Sequence, residues 1–348
     1  MRRLTRRYLS NIVSSSKGAD SQEGAATIMV AVLMVALLGM AALAVDVGAV
    51  YSEKAQVQNG ADFSALAIAG DCAKDDCGDY LATGNGLANG NANDNSTGIA
   101  SITFPNANTV RVETKTREAG SGKDHFSLFF ARALGIDTAD VGAVAEAIWG
   151  PPDEGSTLPW TVSECVFRQS LTPAQLHDLD TTGDFSGDPS GTRILLRYEE
   201  KAPEVPGCGD DNGYMPGGFG WLQIASDCSA EIDISAEVKG QPGNHFPTAA
   251  ECDAILDGIL EKPALIPLYD TAVGNGDKTI YTLVGFAAFQ VTGYKFGGSL
   301  EIDDDLAPDC DKNCRGLQGH FVRYVSLAEG VAPSGGPNFG ALSVSLSK

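Results

Sequence analysis

Apolar residues are distributed very unevenly along this chain. Residues 25–45, AATIMVAVLMVALLGMAALAV, run for 21 positions without a charge. At about 1.5 Å of rise per residue, a helix of that length crosses a hydrocarbon layer about 30 Å thick. The pattern then changes without a break. From Asp46 onward, Val47, Val50, Tyr51, Val57, Ala61, Ala65 and Ile68 recur at helical intervals, while Glu53, Lys54, Gln56, Gln58 and Asp62 fall largely on the other side. Such spacing predicts an amphipathic helix. The spanning helix is therefore expected to continue outward as a stalk, its apolar stripe packing on its own domain or on a partner helix.

Shorter periods follow. GNGLANGNANDNSTG (84–98) is turn chemistry, and 99–104 and 109–117 read as strands around Pro105 and Asn106. Ser121 and Asp124 suggest the cap of a helix carrying Phe126, Phe129, Phe130 and Leu134 on one face, with Gly135 to end it. The stretch 140–149 reads as a further strand. Gly150, Pro151 and Pro152 break helix and sheet alike, which sets a boundary there. Beyond it, 192–198, 278–296 and 319–328 are strand-like. Between Thr279 and Phe296 apolar groups occupy both alternating sets, which suits a central strand pair buried on two faces. Two helix starts stand out: Thr172-Pro173-Ala174-Gln175 is a capping box stapled by Leu171 and Leu176, and Thr248 to Glu251 opens a helix lined by Cys252, Ile255, Leu256, Ile259 and Leu260.

The expected fold class is α+β: one N-terminal transmembrane helix continuing into an amphipathic stalk, a pilin-like α+β unit, and a mostly β second domain. The corresponding segments are 1–24 (basic N-terminus), 25–45 (span), 46–149 (stalk helix and α+β domain), 150–159 (linker) and 160–348 (β-rich domain).

Charge orients this plan. The whole chain carries a net −21, but Arg2, Arg3, Arg6, Arg7 and Lys17 give the first 24 residues a net positive charge. Basic flanks stay cytoplasmic, so the body is expected outside, with the chain held in the cell membrane as a single-pass protein. An acidic exterior disfavours nucleic acid and anionic lipid surfaces as partners. Two other N-terminal readings compete with an uncleaved anchor: secretory cleavage near Ala42-Leu43-Ala44, and a prepilin-type cut after Gly18 that would leave Glu23 at the fifth mature position.

All eight cysteines, Cys72, Cys77, Cys165, Cys208, Cys228, Cys252, Cys310 and Cys314, lie beyond the span. An even count outside the cell points to disulfides. Close spacing favours Cys72–Cys77 and Cys310–Cys314, and elimination leaves Cys165–Cys208 and Cys228–Cys252. Zinc is the competing reading, but these spacings are not paired C-x2-C knuckles.

Residues 23–69 carry a resemblance. Glu23, Gly24, Ala25, Val45, Asp46, Gly48, Gln58, Gly60, Ala61, Asp62, Ala65, Leu66 and Ala67 match the N-terminal pattern of TadG-like proteins, in the TadE/TadG group of bacterial tight-adherence (Flp) pilus assembly systems. Gly60 stands where that family often has alanine, a change that weakens a helix by about 1 kcal/mol. Residues 110–115, 129–150, 158–167, 216–222 and 314–325 also resemble later parts of the family, especially versions from Gram-positive bacteria. The resemblance implies a pseudopilin-like or scaffold component without enzyme activity. Its partners would be other Tad pilus-assembly proteins or pseudopilins, met through the N-terminal helix. Some relatives add a von Willebrand A domain with an Asp-x-Ser-x-Ser metal motif; Asp233-Ile234-Ser235-Ala236-Glu237 lacks the second serine, so that extension is expected to be missing.

Catalytic chemistry finds no pattern. His125, His177, His245 and His320 are scattered, and there is no G-x-S-x-G elbow or phosphate loop. No cofactor is expected. Calcium is the better candidate: Asp178, Asp180, Asp184 and Asp188 surround Gly183 in an EF-hand-like count, although Pro189 replaces the bidentate glutamate. Asp303, Asp304, Asp305, Asp309 and Asp311 form a second acidic stretch. Solvated acidic loops are the simpler account of both. Phe219 and Trp221 could anchor a partner or fill a core. A membrane-anchored extracellular binding or adhesion module, calcium-dependent or not, is the alternative function.

Overall fold

The computed structural model describes residues 20–188, 190–209, 219–223, 229–241, 256, 258–274, 278–297, 300–326, 333 and 336–347. One helix, α1 (Asp20–Cys72), runs 53 residues, about 80 Å at 1.5 Å per residue. It contains no proline, so nothing interrupts its hydrogen-bond ladder. Next come α2 (Tyr80–Gly90), then β1 (Thr97–Asn106), β2 (Thr109–Thr116), β3 (Phe126–Ser127), β4 (Thr138–Ala139) and β5 (Gly142–Gly150). They are followed by β6 (Glu154–Thr157), β7 (Trp160–Ser163), α3 (Glu164–Gln169), α4 (Pro173–Thr182), β8 (Ile194–Arg197), β9 (Phe219–Trp221), β10 (Ala230–Asp233) and β11 (Val238–Lys239). The chain finishes with β12 (Ala264–Val273), β13 (Ile280–Gly297), β14 (Leu300–Ile302), β15 (Gly316–Val322), β16 (Tyr324–Ser326) and β17 (Ala341–Leu346). A long apolar N-terminal helix ahead of a mostly β chain makes the fold α+β, as the sequence pattern predicts.

The first sheet has the order β1-β2-β5-β17-β16 and is antiparallel except where β16 meets β17. Its last two strands come from the C-terminal end, so it draws on both sides of segment 150–159. Alternation along β2 and β5 turns Val110, Val112, Ala143, Ala145 and Ala147 inward, where they pack with Val57, Ala61, Ala65, Ile68 and Ala69 of α1. Small residues on both sides let the helix lie close to the sheet. Gly60 serves the same purpose toward α2: a Cβ there would stand 3.2 Å from the Ala88 Cα. The close approach of the two helices accounts for glycine at this position.

The second sheet has the order β8-β15-β13-β12-β7-β9, with β11 and β14 also on β13. β13 pairs with β12 from Ile280 to Phe289 and with β15 from Ala288 to Lys295. One strand of 18 residues thus occupies the stretch where a strand pair was expected. It is buried on two faces, but its glycines do not make a turn. Gly285 instead makes room for the Phe339 ring, 2.9 Å from where its Cβ would be. One face carries a cluster in which Phe167 meets Phe185, Phe321 and Phe339 edge-on; the other carries Tyr269, Tyr281 and Phe286. Trp221 is buried against Trp160 and Tyr198. The single strand expected over 319–328 is divided: β15 belongs to this sheet and β16 to the first, with Arg323 at the step.

Two helix expectations fare differently. α4 begins as read, with the Thr172 hydroxyl accepting from the Gln175 N–H, the Gln175 side chain returning to the Thr172 N–H, and Pro173 in the first turn. The helix expected over 121–134 does not form. Its place is taken by the short β3–β4 pair and a 3-10 turn, Ala131–Leu134, ended by Gly135 at φ 81°. Gly122, at positive φ, sits where the first turn of that helix would have been, and Gly120, also at positive φ, stands just before it. The helix expected from Thr248 begins outside the described residues.

Candidate membrane anchor and stalk junction

The 20 side chains from Ala26 to Val45 are exposed, with Ala42 alone half-covered. Val30, Leu33, Val35, Leu37 and Leu38 are each more than half open. Gly39 and Gly48 have no neighbouring atom where a Cβ would go. An apolar face of this size, uncovered on all sides, is unlike the surface of a water-soluble domain. The helix is long and apolar enough to cross a membrane.

At Asp46 this changes over a single turn. The Asp46 carboxylate is buried and accepts three backbone N–H groups, from Phe129 (3.0 Å), Phe130 (2.9 Å) and Ala131 (2.6 Å). These donors belong to the start of the 3-10 turn, whose free amides have no partner of their own. A carboxylate beside the end of an apolar span would be costly if bare, and three donors remove that cost. Above it the packed stripe runs from half-buried Val50 through buried Glu53, Val57, Ala61, Ala65 and Ile68. Glu53 accepts from the Thr116 hydroxyl, and the Thr114 hydroxyl donates to the Val57 carbonyl at 2.9 Å. Lys54 reaches the Gly142 carbonyl, and Gln58 donates both to Asp62 (2.8 Å) and to the Val144 carbonyl (3.3 Å).

The structure corrects the stripe at its lower end. Val47 and Tyr51, expected inside, point outward, whereas Glu53, expected outside, is buried. The spacing 46, 50, 53, 57, 61 is itself helical and would have located that face, but two of its first three members, Asp46 and Glu53, are acids and so it does not read as apolar. Phe129 and Phe130 likewise stand at the entry to the 3-10 turn and not on the helix expected there. Of the motif residues, Asp46, Gln58 and Asp62 make the contacts above, Gly24 and Gly48 stand free of neighbours, and the Glu23 side chain lies outside the described residues.

Electrostatics on the loop feeding the 3-10 turn is locally balanced. Lys115 hydrogen-bonds Asp124 and holds its carboxyl below the ordinary range against some loss of hydration, with Arg117 adding to the effect. Glu118 is held low by the Ser121 and Ser127 hydroxyls.

The cysteines pair as Cys72–Cys77, Cys165–Cys208 and Cys310–Cys314; Cys228 and Cys252 lie outside the described residues. The calcium candidates are dispersed by α4. Asp178 and Asp180 ride on the helix, with Asp180 bonded to Arg168 at 2.6 Å. Asp184 accepts from Asn338, and Asp188 accepts the Ser190 and Thr192 N–H groups at 2.8 and 2.9 Å. In the second acidic stretch Asp304 is paired with Arg193 at 3.0 Å. Among the described residues no group of three or more His, Cys, Asp or Glu stands close enough to hold a metal.

Taken together these features define a class: an α+β protein carried on one continuous helix whose first part is a candidate membrane span and whose second part is built into a sheet. Residues 24–71 match the protein-family model described as "Putative Flp pilus-assembly TadE/G-like". The resemblance drawn from residues 23–69 is thus met by a TadE/G-like segment covering the apolar helix and the stalk, which ties this part of the protein to Flp/Tad pilus assembly in general. No curated protein and no solved structure matches the chain.

Proposed function

We propose that this protein is a non-enzymatic, membrane-anchored component of an Flp/Tad-type pilus assembly system, minor-pseudopilin-like or scaffolding. Its N-terminus is cytoplasmic and its disulfide-bearing body extracytoplasmic. The observation that carries this reading is the abrupt change along α1, bare from Ala26 to Val45 and buried along one face from Asp46 onward. The basic residues before the span favour this orientation, and disulfides fit an oxidising exterior. Within lipid, Ala31, Ala36, Gly39, Ala41 and Ala42 permit close approach of a second helix, since helix association there depends on packing of small residues.

The test is Gly39→Leu. Because no atom of the described residues outside the helix's own backbone lies within 4 Å of where a Gly39 Cβ would stand, the substitution should leave insertion and folding intact and weaken co-purification with the other membrane helices of the pilus system. Undiminished co-purification would refute the packing role. For topology, alkaline phosphatase fused after Lys348 should be active and the same enzyme fused before Met1 inactive; the reverse result would overturn the orientation.

A further inference from the structure

Four large apolar side chains project from the loop that binds Asp46. Phe129 is 77%, Phe130 40%, Leu134 67% and Ile136 54% exposed. The loop is not slack. Leu128 and Ala131 are buried beneath it, three amides hold the Asp46 carboxylate, and Gly135 closes the turn by donating to the Ala131 and Arg132 carbonyls. The Phe129 and Phe130 rings meet edge-on with centroids 4.8 Å apart. The fold therefore presents this apolar tip rather than burying it, and an exposed cluster of this kind needs a cover.

Its height along α1 indicates what the cover is. Residues 26–45 supply about 30 Å of helix, the thickness of the hydrocarbon layer. Asp46 is the next residue, and the loop is hydrogen-bonded directly to it. The tip therefore stands level with the headgroup zone, on the same side as the body, where aromatic and apolar side chains next to a cation settle readily. Arg132 is exposed at the centre of the tip. The rest of the exterior is strongly acidic and gives no electrostatic attraction to a membrane surface, so contact at this point depends on apolar burial and on that arginine.

We infer that the loop 128–136 is a second membrane contact: Phe129, Phe130, Leu134 and Ile136 insert into the lipid interface of the bilayer that α1 crosses, with Arg132 at the level of the phosphates. The inference rests on the proposed span. Two contacts, one through the bilayer and one on its surface, fix how the body is rotated about the helix axis, which a single helix cannot do.

The experiment uses the full chain in phosphatidylcholine–phosphatidylglycerol nanodiscs, labelled with an environment-sensitive fluorophore at Leu134→Cys or, in a separate preparation, at Ile136→Cys. Leu37→Cys reports on the span and Leu306→Cys, 80% exposed on the body, on the dye itself. Lipids carry a nitroxide either near the headgroup or deep in the acyl chain. Both loop labels should lose roughly half their emission to the shallow quencher and much less to the deep one, as an interfacial depth requires; Leu37 should show the opposite order and Leu306 neither. Loop labels that stay unquenched while Leu37 is quenched would overturn the inference and leave the anchor standing, pointing to a protein partner as the cover. Quenching at Leu306 equal to that at the loop would also overturn it. If Leu37 itself is unquenched, the anchor reading fails and this one with it.

Discussion

Ile68→Ala tests whether α1 is truly built into the first sheet. Ile68 is fully buried, in a cluster with Val110, Val112, Ala143 and Ala145 from β2 and β5. The substitution removes three carbons, worth about 0.8 kcal/mol each in transfer from water, or about 2.4 kcal/mol. The neighbours across the gap are sheet residues held by their ladders, so the site collapses only in part and the residual cavity raises the cost to about 3 kcal/mol, within the usual range of roughly 2–5. Val47 lies on the same helix but is 58% exposed, and Val47→Ala should cost little. The assay is amide hydrogen exchange by mass spectrometry on the full chain in detergent. Because about 1.4 kcal/mol is a factor of ten, peptides from β2 and β5 should exchange at least roughly 50-fold faster in Ile68→Ala, with little change in Val47→Ala. A change below about threefold in those peptides, or equal changes in both variants, would refute the packing of α1 described above.

Other outcomes follow from the same reasoning. Thr172→Ala removes the hydroxyl that caps α4 and should cost about 1 kcal/mol, seen as faster exchange confined to 173–182, whereas Thr172→Ser should restore it. Cys165→Ser with Cys208→Ser opens a loop closed over a separation of 43 residues; the loop-entropy relation gives a loss of up to about 4 kcal/mol, read as a lower urea midpoint, and an unchanged midpoint would contradict it. Asp188 loses hydration, yet the Ser190 hydroxyl and the Ser190 and Thr192 N–H groups, with His320 nearby, hold its carboxyl below the ordinary 3.8. Its contribution to stability is therefore complete above 3.8 and is lost as pH falls through the lower folded value. Asp188→Asn should lessen the decline in urea midpoint on acidification, and an identical decline would exclude the role.

The bare and half-buried parts of α1 were legible because period and charge change sharply at Asp46, and the Thr172 helix because its cap is local chemistry. The parts that were not legible depend on distant partners. The run Phe126 to Leu134 has helical spacing, but Asp46, more than 80 positions earlier, takes the amides of its central residues. The acidic residues around Gly183 have an EF-hand-like spacing, yet α4 continues through them to Thr182, and Arg168 and Asn338 take two of their carboxylates. Sequence spacing predicts what neighbours can do together. It does not reveal which distant donor a carboxylate will find.

The contacts along the stalk bear on how the body is carried. Asp46 is held by the 129–131 amides, Val57 by Thr114, and Gln56 accepts the Asn93 N–H at 2.7 Å. Beyond the helix end Arg323 donates to the Ala73 carbonyl at 2.8 Å and pairs with Asp75. From Asp46 to Ala73 the chain rises about 40 Å, and much of that length is fixed to a sheet that includes the C-terminal strand β17. A tether would leave residues after the span unpaired and would let the body swing. This helix does neither, so a tilt or shift of the candidate span would be passed on to the first sheet. The same length of contact explains why Arg323 stands at the step between the two sheets: it ties the strand passing from one to the other to the far end of the helix.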